Sequence, residues 1–379
     1  MHRRVGAAAR RLPAHASGRG RGRRDAGPGF WIELGAHTCY NSYGALLELI
    51  EGAGLMAELI PRAKPILRLV DGDRVLPGKN LGALVRAMKW WQLATHLPRV
   101  FFSKSQGKTV REFYGGLVGK DNYQRVLGPM LSAVPSQPAD DFPADMLFKK
   151  RERRKDVLRS FTLRAGLGAL TDALARQPGI RALSGREARA ITKSGGGYDV
   201  ELADGERVSG AVLALATPPQ TAARLVAGLA PELAQAIAPI GEASVDTLGV
   251  VVAAGRVALP PATFFIPRAE AFYSVVTRDV VPDPSWRGFV FHFRPGQAAA
   301  DRRARAARFL GVPESDLADV VERRTQLPSP TLGHQARVAA IDKFLSGQRL
   351  ALTGNWFAGL SLEDCALRSR AEWRRVAAD

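Results

Sequence analysis

The stretch "LALTGNWFAGLSLEDCALRS", residues 350–369, decides how this chain is read. A short apolar run stops at Gly354, a loop closed by Gly359 follows, and Ser361 opens a helical pattern with Glu363 and Asp364 in its first turn. Serine is a favoured N-cap, and acids suit the positive end of a helix dipole. A strand that ends at glycine and re-enters a helix presents free backbone N–H groups at the mouth of a sheet, which is an anion site. Acids in the first turn also answer that dipole without any ligand, so the stretch alone leaves both readings open.

The same succession recurs near the other end. In "GFWIELGAH", residues 29–37, the apolar run Phe30 to Leu34 stops at Gly35, and Asn41 or Ser42 is placed to cap a helix carrying Leu46, Leu47 and Ile50. Residues 80–175 read as mostly helical, with Gly and Pro between segments such as "LGALVRAMKWWQLATHL", where Trp90 and Trp91 are expected to pack or to face a ligand. In "GYDVELADGERVSGAVLALATPP", residues 197–219, Tyr198, Val200 and Leu202 alternate with polar residues and Asp204-Gly205 is a hairpin turn. The run "AVLALA" then reads as a strand buried on both faces. Strand-like runs fill 244–294, and 298–311 is an Arg-studded amphipathic helix.

With 379 residues, 46% of them apolar, the chain can bury a sizeable core. No stretch approaches the roughly 20 uninterrupted apolar residues of a spanning helix. Cys39 and Cys365 are the only cysteines, and no metal-ligand spacing is present, so a reducing cytoplasm is the expected compartment. The net charge of +18 is concentrated in two places: residues 1–24 hold eight Arg and no acid, and "KKRERRK", Lys149 to Lys155, sets six cations around Glu152. Neither run is interleaved with stacking aromatics, which argues against nucleic acid. The second reads first as a solvated loop and next as a contact for an anionic ligand or membrane surface.

Taken in order, four segments resemble the FAD enzymes of the protoporphyrinogen oxidase and amine oxidase superfamily, over roughly residues 30–375. "LALTGNWFAGLSLEDC" is similar to their C-terminal flavin motif, "GFWIELGAH" to the segment passing the flavin, and "GYDVELADGERVSGAVLALATPP" to their hairpin and strand. "KTVREFYGGLVGKDNYQRVLGPML" with "FTLRAGLGALTDAL" is similar to the helical middle of protoporphyrinogen oxidases. The resemblance implies FAD, with Gly354 and Asn355 beside its ribityl-pyrophosphate and the backbone of Leu360, Ser361 and Leu362 facing the pyrimidine edge of the ring. It places Gly35, Ala36, His37 and Thr38 along the ring and Ala188 at adenine, with His37 at a position that is often basic. It names no catalytic side chain and no metal.

The implied fold is mixed α/β: a Rossmann-like FAD-binding sheet domain, discontinuous in sequence and N-terminally incomplete, with a helical insertion and a strand-rich substrate domain. Residues 30–79, 166–243 and 336–379 would form the FAD-binding part, 80–165 the helical, membrane-facing insertion, and 244–335 the substrate domain. The strands at both ends and at 198–216 are expected to share one sheet. The implied reaction is dehydrogenation of a porphyrinogen-like or other apolar small molecule, with peripheral contact to the inner face of a membrane. A carotenoid or squalene desaturase, an amine oxidase, and a non-catalytic remnant acting as a binding protein are the alternatives.

The sequence departs from these enzymes in lacking their opening G-x-G-x-x-G unit. "GRGRGRR" supplies glycines without a preceding apolar strand, and residues 1–29, of which 22 are Arg, Gly, Ala or Pro, are expected to be unstructured or an aberrant start, as out-of-frame GC-rich coding would yield. Weak retention of FAD is the consequence expected for the chain as written.

Overall fold

A computed structural model describes residues 9–11, 30–35 and 38–378. The strand Leu350–Leu352 is fully buried and pairs in parallel with Leu213–Leu215, so two segments far apart in sequence run out at the same edge. The Thr353 amide continues the ladder by donating to the Leu215 carbonyl at 2.9 Å, and the Trp356 ring donates to the Thr217 carbonyl at 3.0 Å. Helices Pro219–Val226, Pro231–Ile237 and His334–Leu345 bury Val226, Ile237 and Leu345 against this pair. The alternating run Gly197–Leu202 forms the centre of a three-stranded antiparallel sheet with Ala188–Ser194 and Arg207–Gly210, turned at Gly205 with φ +85°.

Two expectations about this part need correction. Leu213–Leu215 is not buried on both faces: Ala214 is exposed, because the strand has one partner and only one covered side. Nor do the strands share one sheet, since the hairpin strands form their own and Trp31–Glu33 lies elsewhere.

Trp31–Glu33 crosses a seven-stranded sheet. In spatial order that sheet consists of Asp319–Ser329, Gly241–Ala253, Trp286–Phe293, Phe272–Thr277, Phe264–Pro267, Leu67–Asp71 and Arg74–Val75, with one parallel pair where Leu67–Asp71 meets Phe264–Pro267. One face is covered by the helix Ala299–Leu310, whose Phe309 meets Phe265, Phe272 and Phe291 edge-on at 5.6 to 5.7 Å between centroids. The other face receives Ile32. A Cβ at Gly249 would stand 2.7 Å from the Ile32 side chain and one at Gly288 would stand 2.3 Å from it, so both positions need glycine for the strand to lie this close. Leu67–Asp71 and Arg74–Val75 therefore run with the strand-rich part of the chain, not with the Leu350–Leu352 pair.

Trp31–Glu33 also pairs antiparallel with Ala9–Arg11, so the expected absence of structure before residue 30 does not hold for those three residues. Backbone pairing asks for no side-chain alternation, which is why composition missed it. The rest of the 1–29 expectation lies outside the described residues. The region 80–175 is mostly helical as read, with Thr109 and Glu112 forming a reciprocal capping box, but Ser160–Leu163 is a strand between Cys39–Tyr40 and Leu59–Pro61, and Trp90 and Trp91 are exposed and do not pack.

Gly288→Ala is expected to destabilise the chain by about 1–3 kcal/mol through overpacking against Ile32. Because Ile32→Ala removes the colliding atoms, the double variant should lose measurably less than the sum of the two single losses in urea unfolding.

Candidate functional site

Three elements converge on the turn after Leu350–Leu352. Gly354 adopts φ +139°, a conformation open to glycine, and a Cβ there would crowd the Trp356 ring at 3.3 Å. The Trp356 and Phe357 rings stack at 3.8 Å, and the Arg368 guanidinium covers Phe357 at 3.9 Å. His334, buried, donates from Nε2 to the Phe357 carbonyl at 3.1 Å, and burial lowers its pKa so that the neutral ring is favoured. Thr217 Oγ1, at the end of the parallel strand, is buried without a partner among the described residues.

Ser361 caps the helix Leu362–Ala378 as the sequence suggested. Its Oγ accepts from the Asp364 amide at 3.1 Å and donates to Asp364 Oδ2 at 2.6 Å. The two acids of the first turn go in different directions. Glu363 points at the helix Gly44–Gly52, where its carboxylate accepts from the Ala45 amide at 3.0 Å and the Leu46 amide at 2.9 Å. The expected caps of that helix are thus replaced. Asn41 instead donates to the Arg154 carbonyl at 2.6 Å, and the residue at the cap, Tyr43, makes no side-chain cap bond.

Asp364 points at the basic run. Lys149 Nζ and an Arg151 Nη each reach its Oδ1 at 2.9 Å, and Lys149 also bonds the Ala358 carbonyl. Burial alone would raise the Asp364 pKa, but the Ser361 hydroxyl and the cations of Lys149 and Arg151 outweigh it and hold the carboxyl below its ordinary value. Gly359 is required here, because a Cβ would meet Asp364 at 2.5 Å and Lys149 Nζ at 3.0 Å. The reading of 149–155 as a solvated loop holds for Lys150, Arg153 and Lys155, which are exposed, whereas Lys149, exposed as a residue, and half-buried Arg151 turn their charged ends in to clamp the turn. Sequence inspection missed this clamp, since nothing local marks which cations of a run face inward.

Of the other residues singled out, Gly35 ends the strand and is exposed, Thr38 is half-buried, and Ala36 and His37 lie outside the described residues. Cys39, next to Thr38, and Leu362 belong to one apolar cluster, which brings Thr38 towards the helix mouth. Ala188 is buried in the cluster that holds Trp356 and Phe357. Gly354, Asn355 and Leu360 to Leu362 line the turn itself. Among the described residues no group of His, Cys, Asp or Glu is placed to hold a metal ion.

This donor set fits the pyrimidine edge of a flavin. The first-turn N–H groups of a helix, with Lys149 and Arg151 exceeding Asp364 by one positive charge, meet where a reduced flavin gathers negative charge. Asp364→Asn is expected to lower stability by about 1–3 kcal/mol at neutral pH, since it loosens both cations. A carboxyl with a lowered folded pKa contributes stability above its ordinary pKa and loses it as the pH falls through the lowered value. The gap between the original chain and the variant should therefore close below about pH 4 in urea unfolding.

Comparison with known proteins identifies the family. The family profile of flavin containing amine oxidoreductases matches residues 16–253. Among solved structures, a protein assigned as a protoporphyrinogen oxidase from Exiguobacterium sp. 255-15 superposes with a TM-score of 0.70 at 18% identity, covering 90% of this chain and 87% of that one. A double mutant of putrescine oxidase gives 0.62 at 13% identity, covering 92% and 89%, and the CLA-producing fatty acid isomerase of P. acnes gives 0.61 at 14%, covering 91% and 87%. No curated protein sequence matches. The chain belongs to the flavin containing amine oxidoreductase family and is a flavin-dependent oxidoreductase of mixed α/β fold whose cofactor is FAD.

Proposed function

We propose that the substrate is porphyrinogen-like, or another apolar molecule carrying carboxylates, dehydrogenated at a membrane surface. The observation that carries this reading is an open groove of about 320 Å³ between the helical region and the seven-stranded sheet. Phe272 and Tyr273 give it aromatic walls, Tyr123 donates to Asp140 at 2.5 Å, and of its three cations Arg111 pairs with Asp140 and Arg268 with Asp71, leaving Arg294 in excess among the described residues. That balance suits a flat substrate with acidic side arms and opposes a diamine, which sets the reading above the amine oxidase alternative.

Gly354, Asn355 and the backbone of Leu360 to Leu362 would hold the FAD, with Gly35 to Thr38 along the ring and Ala188 at adenine. When bound, FAD accepts hydride from the substrate. The protein's own part is positional and electrostatic. Trp356 and Phe357 form a rigid apolar wall, and Lys149 and Arg151 favour negative charge at the helix mouth.

The membrane reading rests on the helical region. Trp90 is 78% exposed, Phe101 84% and Phe102 86%, with Arg86, Arg99 and Lys104 close by in sequence. Amphipathic rings beside cations suit an anionic bilayer interface. No helix among the described residues is long and apolar enough to cross a membrane.

Two measurements test this. With FAD in excess, the purified chain is expected to oxidise protoporphyrinogen and to leave putrescine untouched. Turnover of putrescine alone overturns the substrate reading, and absence of FAD binding favours the non-catalytic remnant. In co-sedimentation, the chain is expected to bind phosphatidylglycerol-containing vesicles and to pass over phosphatidylcholine alone. Replacing Trp90, Phe101 and Phe102 by Ser should reduce that binding at least tenfold, as the loss of about 1.4 kcal/mol or more of interfacial burial requires.

A further inference from the structure

Behind the strand Trp31–Glu33 lies a small, partly open cavity that neither the cofactor turn nor the groove uses. Arg62, Glu33, Thr162 and Arg278 line it, with Val276 and Val290 as apolar wall. Arg62 is 8% exposed, and its Nε, Nη1 and Nη2 have no hydrogen-bond partner among the described residues. Glu33, 6% exposed, accepts from the Leu167 amide at 2.6 Å through Oε1, while its Oε2 has no donor. Thr162 Oγ1 and Arg278 Nε are likewise unpartnered among the described residues.

Most buried polar groups are satisfied, and a buried guanidinium without acceptors is among the costliest exceptions. Charge points the same way. Two guanidiniums face the cavity against one carboxylate, and burial lifts the Glu33 carboxyl to about 7 in spite of the Leu167 N–H and Arg62, so near neutral pH it offsets only part of that charge. The nearby Cys39 thiol, pushed by burial up to about 12, is neutral and adds none. Arg278 is held in place by the Val281 carbonyl at 2.9 Å and by the rings of Phe30 and Trp31 at 4.4 and 4.8 Å, leaving Arg62 as the group whose donors are all open. The free space admits only about one or two water-sized groups, which excludes phosphate and the larger carboxylates.

We propose that this cavity binds one small monovalent anion, of halide or formate size, on the Arg62 guanidinium. The anion accepts from the Arg62 N–H groups and from the Thr162 hydroxyl. It thereby braces the strand that leads into Gly35. The site stands independently of the substrate reading above.

The test is thermal unfolding of the full chain in sodium bromide, sodium formate or sodium gluconate at equal ionic strength, since gluconate is too large to enter. A saturable rise in the unfolding midpoint is expected with bromide or formate and not with gluconate, and Arg62→Met should abolish it. In gluconate alone, Arg62→Met should be more stable than the original chain, because a buried uncompensated charge has been removed. Equal midpoints in all three salts overturn the proposal in favour of bridging water. If Arg62→Met fails to fold, crystals of the original chain grown in bromide decide: an anomalous peak within hydrogen-bond distance of Arg62 supports the site, and its absence overturns it.

Discussion

The carboxylate of Glu363 is the joint on which the two ends of this chain depend. It is 3% exposed and accepts from the amides of Ala45 and Leu46 at 3.0 and 2.9 Å, residues 318 and 317 positions away. The first N–H groups of a helix have no partner within it, and here a second helix supplies one. Removing the carboxylate would leave two buried donors unmet, at about 1–3 kcal/mol each. The contact also fixes the C-terminal helix against Gly44–Gly52, where Arg370 and Glu48 pair at the surface. Since adjacent residues on a helix point about 100° apart, Glu363 and Asp364 tie the same turn to two different parts of the chain.

Close approach of backbone to side chain is the second constraint. Gly249 and Gly288 let Ile32 lie on the seven-stranded sheet, and Gly359 lets Lys149 and Asp364 meet over the turn. Both contacts position segments on either side of the proposed cofactor path. The strand Trp31–Glu33 is set by the sheet beneath it, and the residues 358–364 are set by the basic strap above them. The site is therefore assembled from separate rigid supports and not from a single sheet.

What was legible in the sequence was local. Ser361 with an acid three residues on is a cap in the covalent order, and the structure keeps it. Leu350–Leu352 and Leu213–Leu215 were readable as strands from their apolar runs, and their order with the other motifs was enough to bring up the family. The failures were all long-range. Asn41 and Ser42 looked like caps, but a cap in which Glu363 is the acceptor leaves no trace near residue 44. The inward turn of Lys149 and Arg151 depends on Asp364, more than 200 positions away, and so a run of cations resembled a solvated loop. Trp90 and Trp91 were read as packed because large rings usually are, yet the helix Trp90–His96 that carries both buries Gln92 instead. The unmatched donors of Arg62 belong to the same class, since neither burial nor the absence of a partner can be read from "IPRAKP".

The acids at the helix mouth first seemed to argue against an anion there. The geometry reverses that inference. Glu363 is committed to another helix, so its charge answers that helix's dipole and not the one at its own N-terminus. Asp364 does lie at the mouth, but it brings Lys149 and Arg151 with it, and the three together carry one net positive charge. To this the helix adds the equivalent of roughly half a charge from its aligned peptides. Asp364 therefore acts as the fastener that holds two long, mobile cations at a fixed place, where neither would stay in water without a partner. A site for the negative edge of a reduced flavin is in this way compatible with an acidic first turn, and the carboxylate that appeared to oppose the anion is what orders the charges that favour it.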